Sequence, residues 1–144
     1  MFFRKKLISS SEEARLISAI KMAESKTSGE IRIHIEKICK GDPLEECKKR
    51  FSKLNMQQTK DRNGILFFLA INSKSFAVWG DEGIHQKVSD EFWKTITDCA
   101  IGYFKQNDLI SGIEKSVELC GEKLKLHFPI KVDDKNELSN EISY

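Results

Sequence analysis

Gly64-Ile65-Leu66-Phe67-Phe68-Leu69-Ala70-Ile71 has no polar side chain after its glycine. A half-covered strand alternates polar and apolar residues, and a surface helix shows a polar face every three or four positions. An unbroken short apolar run between turn residues reads instead as a strand buried on both faces. Such a strand needs a neighbour along each edge and helices above and below it. Downstream, Asn72-Ser73-Lys74 forms a turn and Ser75-Phe76-Ala77-Val78-Trp79 returns, a connection so short that the two strands must be antiparallel. Upstream, Ile31, Ile33 and Ile35 alternate with Arg32, His34 and Glu36, the pattern of a half-covered strand. Between them Gly41-Asp42-Pro43 opens a helix whose inner face is expected to be Leu44, Cys47, Phe51 and Leu54. Strand, helix and strand in that order make a parallel pair.

Helices flank this centre. Ser9-Ser10-Ser11 with Glu12 and Glu13 caps a first helix carrying Leu16, Ile17, Ile20 and Ala23 on one stripe, and Thr27-Ser28-Gly29 ends it. Gly80-Asp81-Glu82-Gly83 leads into a short helical piece. Ser89-Asp90 then caps a longer helix with Phe92, Trp93, Ile96, Ala100 and Phe104 inside. Asn107-Asp108 caps the last helix, with Leu109, Ile113, Val117, Cys120 and Leu124 inside and Phe128-Pro129 as its stop. The expected fold is α/β: a three-layer sandwich whose mixed sheet combines a parallel pair and an antiparallel hairpin, with helices on both faces. The 144 residues read as one domain, with 1–8 as an N-terminal extension and 130–144 as a polar C-terminal tail.

Composition narrows the function. A hydrophobic fraction of 40% and a charged fraction of 32% are those of an ordinary globular domain. The balance of 24 Lys plus Arg against 22 Asp plus Glu, a net charge of +2, gives no electrostatic footprint for nucleic acid. No apolar run approaches the roughly 20 residues of a transmembrane helix. Met1-Phe2-Phe3-Arg4-Lys5-Lys6 does not read as a signal peptide, so the cytoplasm is the expected compartment and a monomer the expected state. Four cysteines without a Cys-x-x-Cys pair fit reduced, mostly buried thiols.

Nucleophile-elbow, Walker and dinucleotide-binding motifs are absent, as is any close histidine pair. His34, His85 and His127 read as solvated or capping side chains, and Lys48-Lys49-Arg50 as the outer stripe of an amphipathic helix. Topology supplies one constellation. If the first two strands are parallel, Glu30 and Asp61-Arg62-Asn63-Gly64 start at one sheet edge, and the returning third strand brings Asp81 and Glu82 back to it. Four carboxylates with Asn63 would suit a hard cation, calcium or magnesium, held weakly, on the order of 10⁻⁴–10⁻³ M. Against this, Asp81 and Glu82 could simply cap the next helix, Asp61 could pair with Arg62 or a lysine, and ligands of open sheets usually bind at the opposite edge.

The same residues carry a family resemblance. Ser28 to Glu36, Arg62 to Leu66 and Phe76 to Ile84 resemble the signature blocks of the TPM-domain family. Gly112-Ile113 with Gly121, His127-Phe128-Pro129 and the tail from Asn136-Glu137-Leu138 to Ile142-Ser143 are similar to later blocks of its short stand-alone bacterial members. The resemblance implies a mixed α/β sandwich. Some plant members are reported as calcium-binding acid phosphatases linked to photosystem II repair, and other members accompany membrane proteins, so it also implies a membrane-associated protein partner. The expected function is a binding or accessory protein that takes a divalent cation weakly at Glu30, Asp61, Asn63, Asp81 and Glu82. The alternatives are a metal-dependent acid phosphatase at the same site, or a protein-interaction module without metal.

Overall fold

A computed structural model of the chain describes residues 7–131 and 136–144. Its elements follow in the order α1 (Ser10–Glu24), β1 (Glu30–Glu36), α2 (Pro43–Lys53), β2 (Gly64–Ala70), β3 (Ser75–Gly80), α3 (Glu82–His85), α4 (Asp90–Phe104) and α5 (Leu109–Leu124). The sheet order is β1-β2-β3. β2 pairs parallel with β1 from Glu30 opposite Gly64 to Glu36 opposite Ala70, and antiparallel with β3 from Ile65 opposite Gly80 to Ala70 opposite Ser75.

Local chemistry explains the boundaries. Ser9 and Glu12 form a reciprocal capping box at the start of α1, each side chain taking the other's backbone N–H at 3.1 and 2.8 Å. Asp42 caps α2 by accepting from Leu44 N at 3.2 Å, and Pro43 takes the first helical position. Leu44 departs from expectation. It is 37% exposed, and Cys47 and Phe51 alone form the buried face of α2. Leu44 stands in the first turn, and the smaller core forms around Cys47 and Phe51 without it.

Every residue of β2 is buried. Ile65, Phe67 and Leu69 join Ile31, Ile33 and Ile35 of β1 under α1, α4 and α5. Leu66, Phe68 and Ala70 face the other way, into a smaller cluster with Cys47, Phe51, Met56 and Ala77 under α2. The three layers are thereby observed. Ile8, assigned from sequence to an extension, is 5% exposed and belongs to the larger core. The rest of the expected extension, up to residue 6, lies outside the described residues.

The double burial of β2 can be tested. Phe67 is fully buried. Phe67→Ala should lower unfolding free energy by about 3–5 kcal/mol in urea titration, as a large core truncation does, whereas a loss under about 1 kcal/mol would contradict the packing.

Candidate functional site

The parallel pairing puts the first residues of β1 and β2 side by side, and the hairpin brings the end of β3 back to them. Asp81 N donates to Gly64 O at 2.9 Å, and Glu30 N donates to Asn63 O at 3.1 Å. Residues from all three strands therefore meet at one edge, as the topology requires. Their charges, however, are already engaged.

Arg62 is the centre of this edge. Its Nε and Nη2 donate to the two oxygens of Asp81 at 2.6 and 2.8 Å, and its Nη1 donates to Glu82 Oε1 at 3.3 Å. This is the two-pronged geometry in which a guanidinium matches a carboxylate. The Arg62 guanidinium is consequently held above its ordinary pKa, chiefly by the hydrogen bonds to Asp81. Asp81 also caps α3, accepting from Glu82 N at 2.8 Å. Asp61 turns away to Lys131 Nζ at 3.0 Å. Glu30 Oε1 accepts two backbone N–H groups from the C-terminal segment, those of Glu137 and Leu138. Among the described residues, no three His, Cys, Asp or Glu side chains form a group able to hold a metal ion. The carboxylates share an edge without converging on one point.

Two oxygens at the same edge stand differently. Asn63 is 2% exposed. Its Nδ2 donates to Ser28 O at 3.0 Å and its N–H to Thr59 Oγ1 at 3.2 Å, while its Oδ1 is buried with no hydrogen-bond partner among the described residues. Ser28 Oγ is likewise buried and without a partner there. Ser28 borders two shallow pockets, one with Glu24, Glu30 and Lys131 and one with Asp61, Lys87 and His127. Buried polar atoms normally find partners, so each of these two oxygens calls for an ordered water or a ligand atom.

Gly83 holds the edge together. Its N–H donates to Arg62 O at 3.0 Å, and a Cβ at this position would lie 2.2 Å from Asp61 O and 2.6 Å from Arg62 O. Only glycine lets α3 start against that loop.

His34 is the residue that sequence reasoning misjudged. It is fully buried rather than solvated, because the polar face of β1 turns towards α2 and stacks on Phe68 with ring centroids 5.8 Å apart. Glu36 Oε1 lies 2.7 Å from Nε2 and also accepts from Arg50 Nη2 at 2.8 Å, while Ser143 Oγ lies 2.8 Å from Nδ1. In the neutral ring, Nε2–H donates to Glu36 and Nδ1 accepts the Ser143 hydroxyl. Burial pushes the His34 pKa down, against the opposing pull of Glu36 and with help from Arg50 and Arg32. The alternation of β1 identified its face, and only the packing shows that this face is covered.

These contacts define a small α/β domain whose polar edge is closed by internal ion pairs. The chain belongs to the TPM domain family, whose model matches residues 2–123. It is similar to the BA42 protein of the psychrophilic bacterium Bizionia argentinensis, whose NMR structure superposes with a TM-score of 0.91 at 38% identity over 99% of each chain. The fold is also that of the N-terminal domain of the cg2496 protein from Corynebacterium glutamicum (TM-score 0.66, 14% identity, 96% of this chain and 81% of that one). An N-terminal domain of a protein from P. gingivalis is comparable (TM-score 0.68, 17% identity, 85% and 79% coverage). No curated protein matches the chain. Among the described residues, no helix is long and apolar enough to cross a membrane.

Two outcomes follow from the geometry. Gly83→Ala should destabilise the fold by about 1–3 kcal/mol in denaturant titration, since the new methyl meets backbone rather than a movable side chain. The depressed His34 pKa means that the unfolded chain takes up the proton first. The stability from neutral His34 is therefore complete above the ordinary value of about 6.5 and is lost as pH falls below it. Unfolding titrations at pH 7.5 and 5.5 should show that loss, and His34→Gln should flatten the slope.

Proposed function

We propose that this chain is a binding or accessory domain, and that it takes one calcium or magnesium ion weakly where β1 and β2 begin. The pair of buried, unpartnered oxygens, Asn63 Oδ1 and Ser28 Oγ, carries the reading. Hard cations are bound by oxygens alone, carbonyl and hydroxyl oxygens among them. The donor set suits one loosely held ion completed by a neighbouring carboxylate, backbone carbonyls and water. It does not suit a pair of ions. Asp81 and Glu82 join only if Arg62 swings away, which its 41% side-chain exposure permits, and that competition keeps affinity low. In this role the domain would act as a monomer beside a membrane-associated protein, the partner class that the family resemblance implies.

Phosphatase chemistry finds less support. Phosphoryl transfer needs an activated nucleophile or metal ions clamping the phosphoryl oxygens. Burial pushes the Cys47 thiol up to about 12 and the Cys120 thiol higher still, so neither is a thiolate near neutral pH. Ser143 does touch an imidazole, but that ring is fully buried and belongs to the clasp on Glu36.

Amide shifts during calcium and magnesium titration test the reading. They should centre on Ser28, Asn63 and their neighbours, with half-saturation in the high micromolar to millimolar range. Ser28→Ala removes an oxygen that makes no hydrogen bond among the described residues, so it should weaken the response severalfold at unchanged stability. Arg62→Gln should strengthen it severalfold by releasing Asp81, and the remote Glu118→Gln should leave it unchanged. A response indifferent to Ser28 and Arg62 would overturn the site. Metal-dependent release of phosphate from an aryl phosphate, lost in Asp81→Asn, would favour the enzyme instead.

A further inference from the structure

We propose that the outer edge of β1 is a docking groove for an extended segment of a partner protein, occupied here by the chain's own residues 136–144. The segment it suits runs parallel to β1 and carries an acidic residue, an apolar residue and then a serine or threonine.

The tail already shows this mode of binding. Ile35 N donates to Ser143 O at 2.8 Å and Ser143 N donates to Ile33 O at 2.9 Å, so Ser143 forms a parallel bridge opposite His34. Strand addition of this kind takes its affinity from backbone hydrogen bonds and its specificity from alternate side chains. Ile142 enters the larger core at 8% exposure, and Ser143 Oγ meets His34 Nδ1 on the opposite face. Further back, Leu138 packs against the smaller core, and the amides of Glu137 and Leu138 reach Glu30. The groove is thus built from both cores and from polar groups of β1.

The tail is an imperfect occupant. Arg32 Nε is buried with no hydrogen-bond partner among the described residues. Burial disfavours the Arg32 charge, and Glu141 is the carboxylate whose field offsets this, yet Glu141 itself stays exposed. An incoming segment whose acidic residue reaches Arg32 Nε gains a charge-assisted hydrogen bond that the tail does not make. Between its anchors, Ser139 and Glu141 are exposed. A segment tied down at two points and solvated between them opens more readily than the core beneath it. An uncovered strand edge also invites other chains, which accounts for a tail kept in place when the partner is absent. Attachment in cis gives the tail an effective concentration on the order of millimolar, so the partner must be a better ligand or a locally concentrated one.

The probe is a fluorescent peptide with the sequence of residues 136–144, titrated into the full chain. The intact protein should bind it weakly, because its own tail competes. The full chain carrying Ile142→Ala and Ser143→Ala should bind it at least tenfold more tightly, with amide shifts at Ile33 and Ile35. If the double variant does not fold, Ser143→Ala alone should show a smaller gain of the same sign. A folded variant that binds no better than the intact chain overturns the proposal. Conversion of the variant to dimers, read by light scattering, overturns it in favour of a second copy as the occupant.

Discussion

With seven residues buried on both faces, β2 has its backbone N–H and C=O groups sealed from water. Each must be paired, because a buried amide left alone costs about as much as a lost hydrogen bond. β1 and β3 do this from either side, and everything else is arranged to keep those pairings dry. α1, α4 and α5 close one face and α2 the other. The two clusters divide the side chains of β2 by simple alternation, so a one-residue slip in register would send phenylalanines and leucines into the wrong layer.

At the edge where β1 and β2 begin, the fold gathers more negative charge than the region could leave unpaired. Arg62 resolves most of it by binding Asp81 with both prongs and reaching Glu82, and Lys131 serves Asp61. The pairs to Glu82 and Asp61 are exposed and add little to stability, whereas Asp81 is buried and Arg62 offsets its charge. The nearby Ser28 and Asn63 side-chain oxygens, by contrast, are buried without a hydrogen-bond partner among the described residues.

The long edge of β1 poses the opposite problem, that of backbone groups without a neighbouring strand. Glu24 answers part of it by accepting from Ile31 N at 3.0 Å, and the C-terminal segment pairs Ile33 O and Ile35 N. Glu30 links the two edges, since it begins β1 and holds the tail amides with its carboxylate. The position of the C-terminal segment and the charges where β1 and β2 begin thus share a residue.

The amino-acid sequence by itself determined the elements, the central strand, the parallel and antiparallel pairings and the edge at which Glu30, Asn63 and Asp81 would meet. Hydrophobic period and connection length are local signals, and strand direction follows from them. Only the tertiary structure decided what those charges bind. Arg62 pairs with Asp81 across 19 positions rather than with Asp61 beside it, and Lys131 reaches Asp61 across 70. It also decided that His34 is covered and that the polar tail re-enters the fold through Ile142. The period of a strand shows which side chains share a face, whereas their burial and partners depend on where distant segments come to rest, and no local pattern encodes that.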